Sequence, residues 1–512
     1  MNTTAHPAPA TSPSALHDAL LARLRRVHLL GTVSGLLGWD EQVNLPADSA
    51  DQRGDQMALL AELQHAAATD PETGRLLDAL ERQTDALDAD QRVNVREARR
   101  DYDRAARLPA DLVAEKARLT SAAYHAWAGA REDNNFPAFA PFLEKHLDLA
   151  RREADVLGFG QKPYDYAIDK HDPGMTCELT AALFADLKTG LVPLVQRLDA
   201  SPAARAAAGI EARLTGFDTA AQQTFLTEVT TAIGFNYRRG RIDVSLHPFC
   251  EGAGADIRMT TRFHEDKPLD ALFSAIHETG HGLYEQGLPL PLQGTPLGQA
   301  AGMAVHESQS RLWENQVARS RAFWRHFEPG YREHFPRQLA SVSPEDLYRA
   351  INSVAPTLIR VESDEVHYNL HILLRFELER RLFSQKLAVR DLPEAWRALA
   401  KELLGLTPET DREGVLQDIH WSGGAFGYFP SYCLGNMIAA QLWATVRAAL
   451  PGLEDDFTRG DFSRLLGWLR ENIHAHGRRF TAPELVRHVT GTDLSPAPLL
   501  AYLEERYGSL YL

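Results

Sequence analysis

His277, Glu278 and His281 form the pattern HExxH, with Thr279 and Gly280 between the glutamate and the second histidine. On an α-helix, residues four apart lie on one face, one turn above another. The two imidazoles can then converge on one tetrahedral ion, and Glu278, to the side of that face, can reach a water at the ion. A bound divalent ion lowers the pKa of such a water from about 15.7 towards about 7, and the glutamate can take its proton as general base. Together these residue types support metal-assisted hydrolysis of the zinc-peptidase kind. Leu272, Phe273, Ile276 and Leu283 give the expected helix a buried side, and Gly287 with Pro289 supplies its stop. Gly280 and Gly282 each cost about 1 kcal/mol of helix propensity relative to Ala, which close backbone packing or room beside the ion would offset.

A catalytic zinc site needs a third protein ligand and an open fourth position. Glu285 continues the four-residue spacing, but it lies two turns from His277, about 12 Å along the axis. Glu307 is the better candidate. It falls in a second expected helix, opened by Thr295 as N-cap with Pro296 in the first turn. Ala300, Ala304 and Ser308 are small enough there to let two helices approach. On spacing alone, a ligand and a surface glutamate are equally open readings of Glu307.

The elements that must position these residues are helical. Apolar spacing predicts helices beginning with Leu16, Ala19, Leu20, Leu24 and Val27, and over 89–107, 179–198, 344–359, 368–387 and 393–404. Arg241–Phe249 and Asp256–Phe263 alternate with period two around the glycine-containing CEGAGA, which predicts a β-hairpin just before the metal helix. Residues 1–13 are rich in Pro, Ala, Ser and Thr and are expected to form a disordered tail. Residues 14–512 carry no repeat or linker and are expected to form a single domain.

Composition narrows the partners. The net charge of −15 disfavours a sequence-independent nucleic-acid binder, which needs a basic face. Cys177, Cys250 and Cys433 are odd in number and far apart, so neither a disulfide framework nor a thiolate zinc site is indicated. With no signal peptide and no run of ~20 apolar residues, a soluble cytoplasmic protein with no membrane partner is the default expectation.

Several short motifs occur in order along the chain: LLGWDEQ (36–42), HPF (247–249), DIRMTT (256–261), HETGH (277–281), HESQSR (306–311), IRVESD (359–364) and GVLQDIHW (414–421). With them the chain resembles the carboxypeptidase Taq family of thermostable-type metallocarboxypeptidases over nearly its whole length. One departure is Ser363, where the family motif usually has Ala. The resemblance implies a mainly α, groove-shaped metallopeptidase fold similar to neurolysin, with a small β element beside the metal helix. It implies zinc or cobalt, a homodimer, and stepwise release of single C-terminal residues with broad specificity that disfavours proline. It also implies Glu307 as the third ligand.

Within that reading, the oxyanion of the reaction needs hydrogen-bond donors. His420 in QDIHW is the first candidate; Tyr432 and then Tyr428, in GYFPSY, follow by analogy with related groove-shaped peptidases. Arg360 in IRVESD is the first choice for the terminal carboxylate, because a guanidinium fork bonds both oxygens, although a salt bridge to Asp364 is an equal alternative. DIRMTTRF is expected to offer backbone groups to an extended substrate. Asp256, Arg258 and Thr261 would hold that strand in place, and His247 is expected to be structural. Two rival readings stand: an oligopeptidase or dipeptidyl carboxypeptidase with the same metal chemistry, and a non-catalytic scaffold stabilised by metal.

Overall fold

The computed structural model describes residues 12–512. The expected tail lies outside these residues, apart from Ser12 and Pro13, and both of those belong to a helix start. The Ser12 hydroxyl accepts the Ala15 N–H, and Pro13 opens α1 (Pro13–Val43), where its missing N–H costs nothing. The helices that follow α1 pack with it around a small separate core of Leu20, Leu76, Leu77, Leu80, Leu87, Val95 and Ala98. The remaining helices share one large core that runs from Ala123 to Tyr511. The fold is mainly α, as its sequence pattern indicates. No helix among the described residues is long and apolar enough to cross a membrane.

Most expected helices form within a few residues of their predicted bounds: Ala89–Ala106, Cys177–Ala200 and Leu392–Leu404. The expected helix over 344–359 ends at Ile351, short of Pro356, through which a helix would not continue. The region from Tyr368 begins earlier, as α4 (Glu365–Phe383). Asp364 caps it by accepting the N–H groups of Val366 and His367.

The sheet departs from the expected hairpin. It has three strands, β1 (Gly240–Val244), β2 (Cys250–Ala253) and β3 (Asp256–Thr261), in the order β1-β3-β2. The two predicted strands are therefore parallel neighbours. The hairpin is formed instead by β2 and β3, which pair antiparallel, with CEGA as a strand rather than a loop. The consequence is functional: β3, which carries DIRMTT, is bonded on both sides. It has no edge for a substrate strand, and the free edges belong to β1 and β2. Asp256, Arg258 and Thr261 hold the strand, as expected. Arg258 pairs with Asp256 and lies 4.2 Å from the ring centroid of buried Trp39 in α1, and the Thr261 hydroxyl donates to the Ala271 carbonyl. His247 is exposed, and only its carbonyl is engaged, by the hydroxyls of Ser245 and Thr260. A cavity of about 350 Å³ lies between α1 and β2, lined among others by Leu24, His28, Tyr102, Glu251 and Ala253.

The metal motif lies on α2 (Pro268–Gly287). Glu307 lies on α3 (Met303–Arg311), Tyr432 lies in the first turn of α5 (Phe429–Ala449), and Tyr428 is the helically disposed residue just before it. The expected opening of the Glu307 helix at Thr295 is not observed. Thr295 and Pro296 begin a separate short turn that ends at Gly298, and α3 starts after Gly302, whose φ of 130° suits glycine.

Candidate metal centre

Two close approaches assemble the centre. A Cβ at Gly280 would lie 2.5 Å from Ser310 Cα, so only glycine lets α2 meet the backbone of α3. A Cβ at Gly435 would lie 2.5 Å from Glu307 Cγ, so α5 presses on the other side of the same glutamate. Glu307, 5% exposed, is thereby driven against the HExxH face. Its Oε2 stands 3.6 Å from His277 Nε2 and 3.5 Å from His281 Nε2. One ligand atom from each of His277, His281 and Glu307 falls within 4.8 Å of the others. Two nitrogens from half-buried imidazoles and one oxygen from a buried carboxylate are the donor set of a catalytic divalent-ion site with one position left open.

The surroundings prepare these donors. His277 Nδ1 is 2.9 Å from Glu314 Oε2. Glu314 sits in a π-helical continuation of α3, Leu312–Val317, an irregularity often found at functional sites. With Nε2 turned to the ligand cluster, His277 donates its Nδ1–H to that carboxylate. The second histidine has a longer chain. His281 Nδ1 is 2.5 Å from His306 Nδ1, and His306 Nε2 is 3.0 Å from Glu285. If His281 keeps Nε2 free for an ion, it donates Nδ1–H to His306, which must then donate Nε2–H to Glu285. Glu285 therefore serves the cluster indirectly, at the end of this chain. Arg311 bonds Glu307 Oε1 at 2.7 Å and Glu314 at 3.1 Å.

The protonation states of His281 and Glu307 suit ligands; burial alone would lower His277, but the Glu307 and Glu314 carboxylates outweigh it and hold that imidazole above its ordinary value. Burial pushes His281 down to about 3, so its imidazole is neutral near pH 7. Burial alone would raise Glu307, but Arg311 and His277 outweigh it and hold the carboxyl well below the usual range. Glu278, 7% exposed and outside the ligand cluster, is pushed by burial up to about 7. A base in that range can both take and return a proton near neutrality. Glu314→Gln leaves His277 without its charged acceptor. The expected result is metal affinity lowered about 10- to 100-fold, read by chelator competition; unchanged affinity would remove Glu314 from this role.

The substrate-side candidates gather beside the cluster. Tyr428 and Tyr432 precede Gly435 by seven and three residues, so on α5 they continue the stripe that presses on Glu307. The Tyr432 hydroxyl is 3.1 Å from His420 Nε2, and burial lowers His420 to about 4, leaving it neutral. Tyr428 packs edge-on against both Tyr432 and His171. Arg360 lies 5.1 Å from the Tyr432 ring centroid, and its Nη1 donates to the Tyr368 hydroxyl at 2.9 Å. Its salt bridge runs to Asp418, at 2.9 Å, and not to Asp364. Asp418 also binds Arg375, at 2.5 Å. Two guanidiniums, 7% and 0% exposed, thus share one carboxylate, and among the described residues neither has a second acid within ion-pair distance.

A family model described as Carboxypeptidase Taq (M32) metallopeptidase matches residues 19–507. The chain belongs to this family. Thermostable carboxypeptidase 1 of Thermus thermophilus is 43% identical over 98% of this chain and its own full length. Carboxypeptidase 1 of Bacillus subtilis is 35% identical over 96% of this chain and 97% of its own. Among solved structures, the M32 carboxypeptidase of Deinococcus radiodurans R1 superimposes with a TM-score of 0.92 at 45% identity, covering 97% of this chain and 99% of that one. Membership makes the protein a metal-dependent carboxypeptidase, a peptide hydrolase that requires a divalent ion.

In this Taq-family chain, sequence reasoning assigned no role to His306, Arg311, Glu314 or Asp418. Arg311 and Glu314 follow Glu307 by four and seven residues, a same-face spacing that was available as a signal. Asp172 gave no such signal. It is 1% exposed and accepts the Ala304 N–H at 2.6 Å and the Ser431 hydroxyl at 2.5 Å, which ties the start of α3 to the start of α5. The three cysteines are free; Cys433 is buried and the other two are half-buried.

Proposed function

We propose that the protein removes amino acids one at a time from the C-terminus of peptides, with broad side-chain tolerance, and that zinc, or cobalt, occupies the His277–His281–Glu307 cluster. The observation that carries the exopeptidase reading is the shared Asp418. Arg360 and Arg375 leave one buried positive charge without a carboxylate of its own, beside Tyr432 and one residue, Tyr368, away from Arg311. Burying such a charge is costly unless something pairs with it, and a substrate's terminal carboxylate supplies the partner.

The ion, when bound, supplies a Lewis acid that polarises a carbonyl and acidifies water. Glu278 takes the proton of the attacking water and returns it to the leaving amine. Tyr432, held by His420, donates its hydroxyl hydrogen to the oxygen where negative charge develops, and Tyr428 walls the space next to it. Arg360 receives the terminal carboxylate and so sets which peptide bond lies at the ion. Resemblance to the family further supports a homodimer acting on peptides; a cytoplasmic location is part of the same proposal, and the net charge of −15 speaks against a nucleic-acid partner.

The test is a metal-reconstituted digest of one peptide followed by mass spectrometry. The expected series is loss of single C-terminal residues. Loss of dipeptides or internal cleavage would favour the oligopeptidase or dipeptidyl reading instead.

A further inference from the structure

The stretch between Asp418 and Tyr428 carries His420 and Tyr428 but has little regular structure. It contains one short turn, His420–Gly423, and two glycines with positive φ, Gly424 and Gly427. Helix α4 holds it at two points one turn apart. Arg375 grips Asp418. Glu379, four residues further on and completely buried, accepts three hydrogen bonds. Trp421 Nε1–H donates to Oε1 at 2.8 Å, the Gly427 N–H donates to Oε2 at 2.8 Å, and the Tyr164 hydroxyl donates to Oε2 at 2.9 Å. Trp421 immediately follows His420, and Gly427 immediately precedes Tyr428. Gly427 has φ 73°, and a Cβ there would run into the Ala167 backbone, so its N–H is locked towards the carboxylate. No Lys, Arg or His among the described residues lies within ion-pair distance of Glu379. A carboxylate is therefore buried at considerable cost, with these three hydrogen bonds as its main compensation and the Arg375 charge, one turn away, as a lesser one.

We propose that Glu379 is a positioning residue: by gripping the neighbours of His420 and Tyr428, it sets where those side chains, and the Tyr432 hydroxyl bonded to His420, stand relative to the substrate. This rests on the substrate-facing reading of His420 and Tyr432 given above. Glu379→Gln is the informative variant. It keeps the shape, but an amide has one accepting oxygen and one donating nitrogen. Trp421 and Gly427 approach different oxygens, so one of these donors must face the amide nitrogen. Tyr164→Phe is the control: it removes a donor from the same carboxylate without touching the loop.

The measurements are kcat, KM, chelator-competed metal affinity and Tm for Glu379→Gln, Trp421→Phe, Tyr164→Phe and Tyr432→Phe. The expected result is a fall in kcat of about 10- to 100-fold for Glu379→Gln, with KM and metal affinity little changed. Trp421→Phe, which releases the same loop contact, falls in the same direction and carries the test should Glu379→Gln not fold. Tyr164→Phe keeps kcat within about threefold even where its Tm falls as far as that of Glu379→Gln. Wild-type kcat in folded Glu379→Gln, or an equal loss in Tyr164→Phe, overturns the proposal. If Tyr432→Phe alone keeps wild-type kcat, the reading on which the proposal rests fails, and the proposal fails with it.

Discussion

Glu278→Gln is expected to lower turnover by at least about 10²–10⁴-fold, the range associated with losing a general base, while the protein still binds its ion. The geometry separates the two effects. His277, His281 and Glu307 form the ligand cluster without Glu278, so an isosteric amide leaves the donors, and the carboxylates behind them, in place. What is lost is the proton carrier. Burial pushes Glu278 up to about 7, the range in which one group can accept a proton from water and hand it on, and an amide can do neither. The check pairs turnover of a short peptide with chelator-competed metal affinity. Retained turnover would remove Glu278 from the chemistry. Lost metal would mean that the carboxylate is needed to hold the ion.

What the sequence made legible is local, and what it hid is long-range. HExxH could be read because two histidines and a glutamate need only one helix to share a face, and the helix formed over Pro268–Gly287. Glu307 could not be chosen on spacing. Its approach to the histidines depends on Gly280 meeting Ser310 and on Gly435 meeting Glu307, contacts between segments up to 128 residues apart that no periodicity encodes. The family resemblance, not the pattern, supplied that assignment. The sheet shows the same boundary. Period-two alternation found β1 and β3, but alternation carries no information about which strands pair, and the short strand Cys250–Ala253 contains a glycine that reads as a turn. The expectation that DIRMTT would receive substrate failed because β3 is central, a property of strand order alone. Arg360 lay in a motif, yet its partner lies 58 residues away at Asp418 rather than four away at Asp364.

That partner makes Arg360 testable in a way a lone arginine would not be. Truncating one member of an isolated buried ion pair strands the other and destabilises the protein. Here Arg360→Met leaves Asp418 with Arg375, one charge against one, so folding is expected to survive. Binding of a free terminal carboxylate is not. A hydrogen-bonded guanidinium–carboxylate pair removed from one side costs roughly 3–4 kcal/mol, so kcat/KM on free-acid peptides is expected to fall by about 10²–10³-fold. Arg360→Lys should recover only part of this, because an ammonium restores the charge but not the planar fork. The decisive comparison uses one peptide with a free and an amidated C-terminus. The wild-type protein should strongly prefer the acid, and Arg360→Met should treat the two nearly alike, because the group that reads the charge is gone. If Arg360→Met still prefers the acid by the wild-type factor, another cation reads the carboxylate and the surplus charge around Asp418 serves a different end.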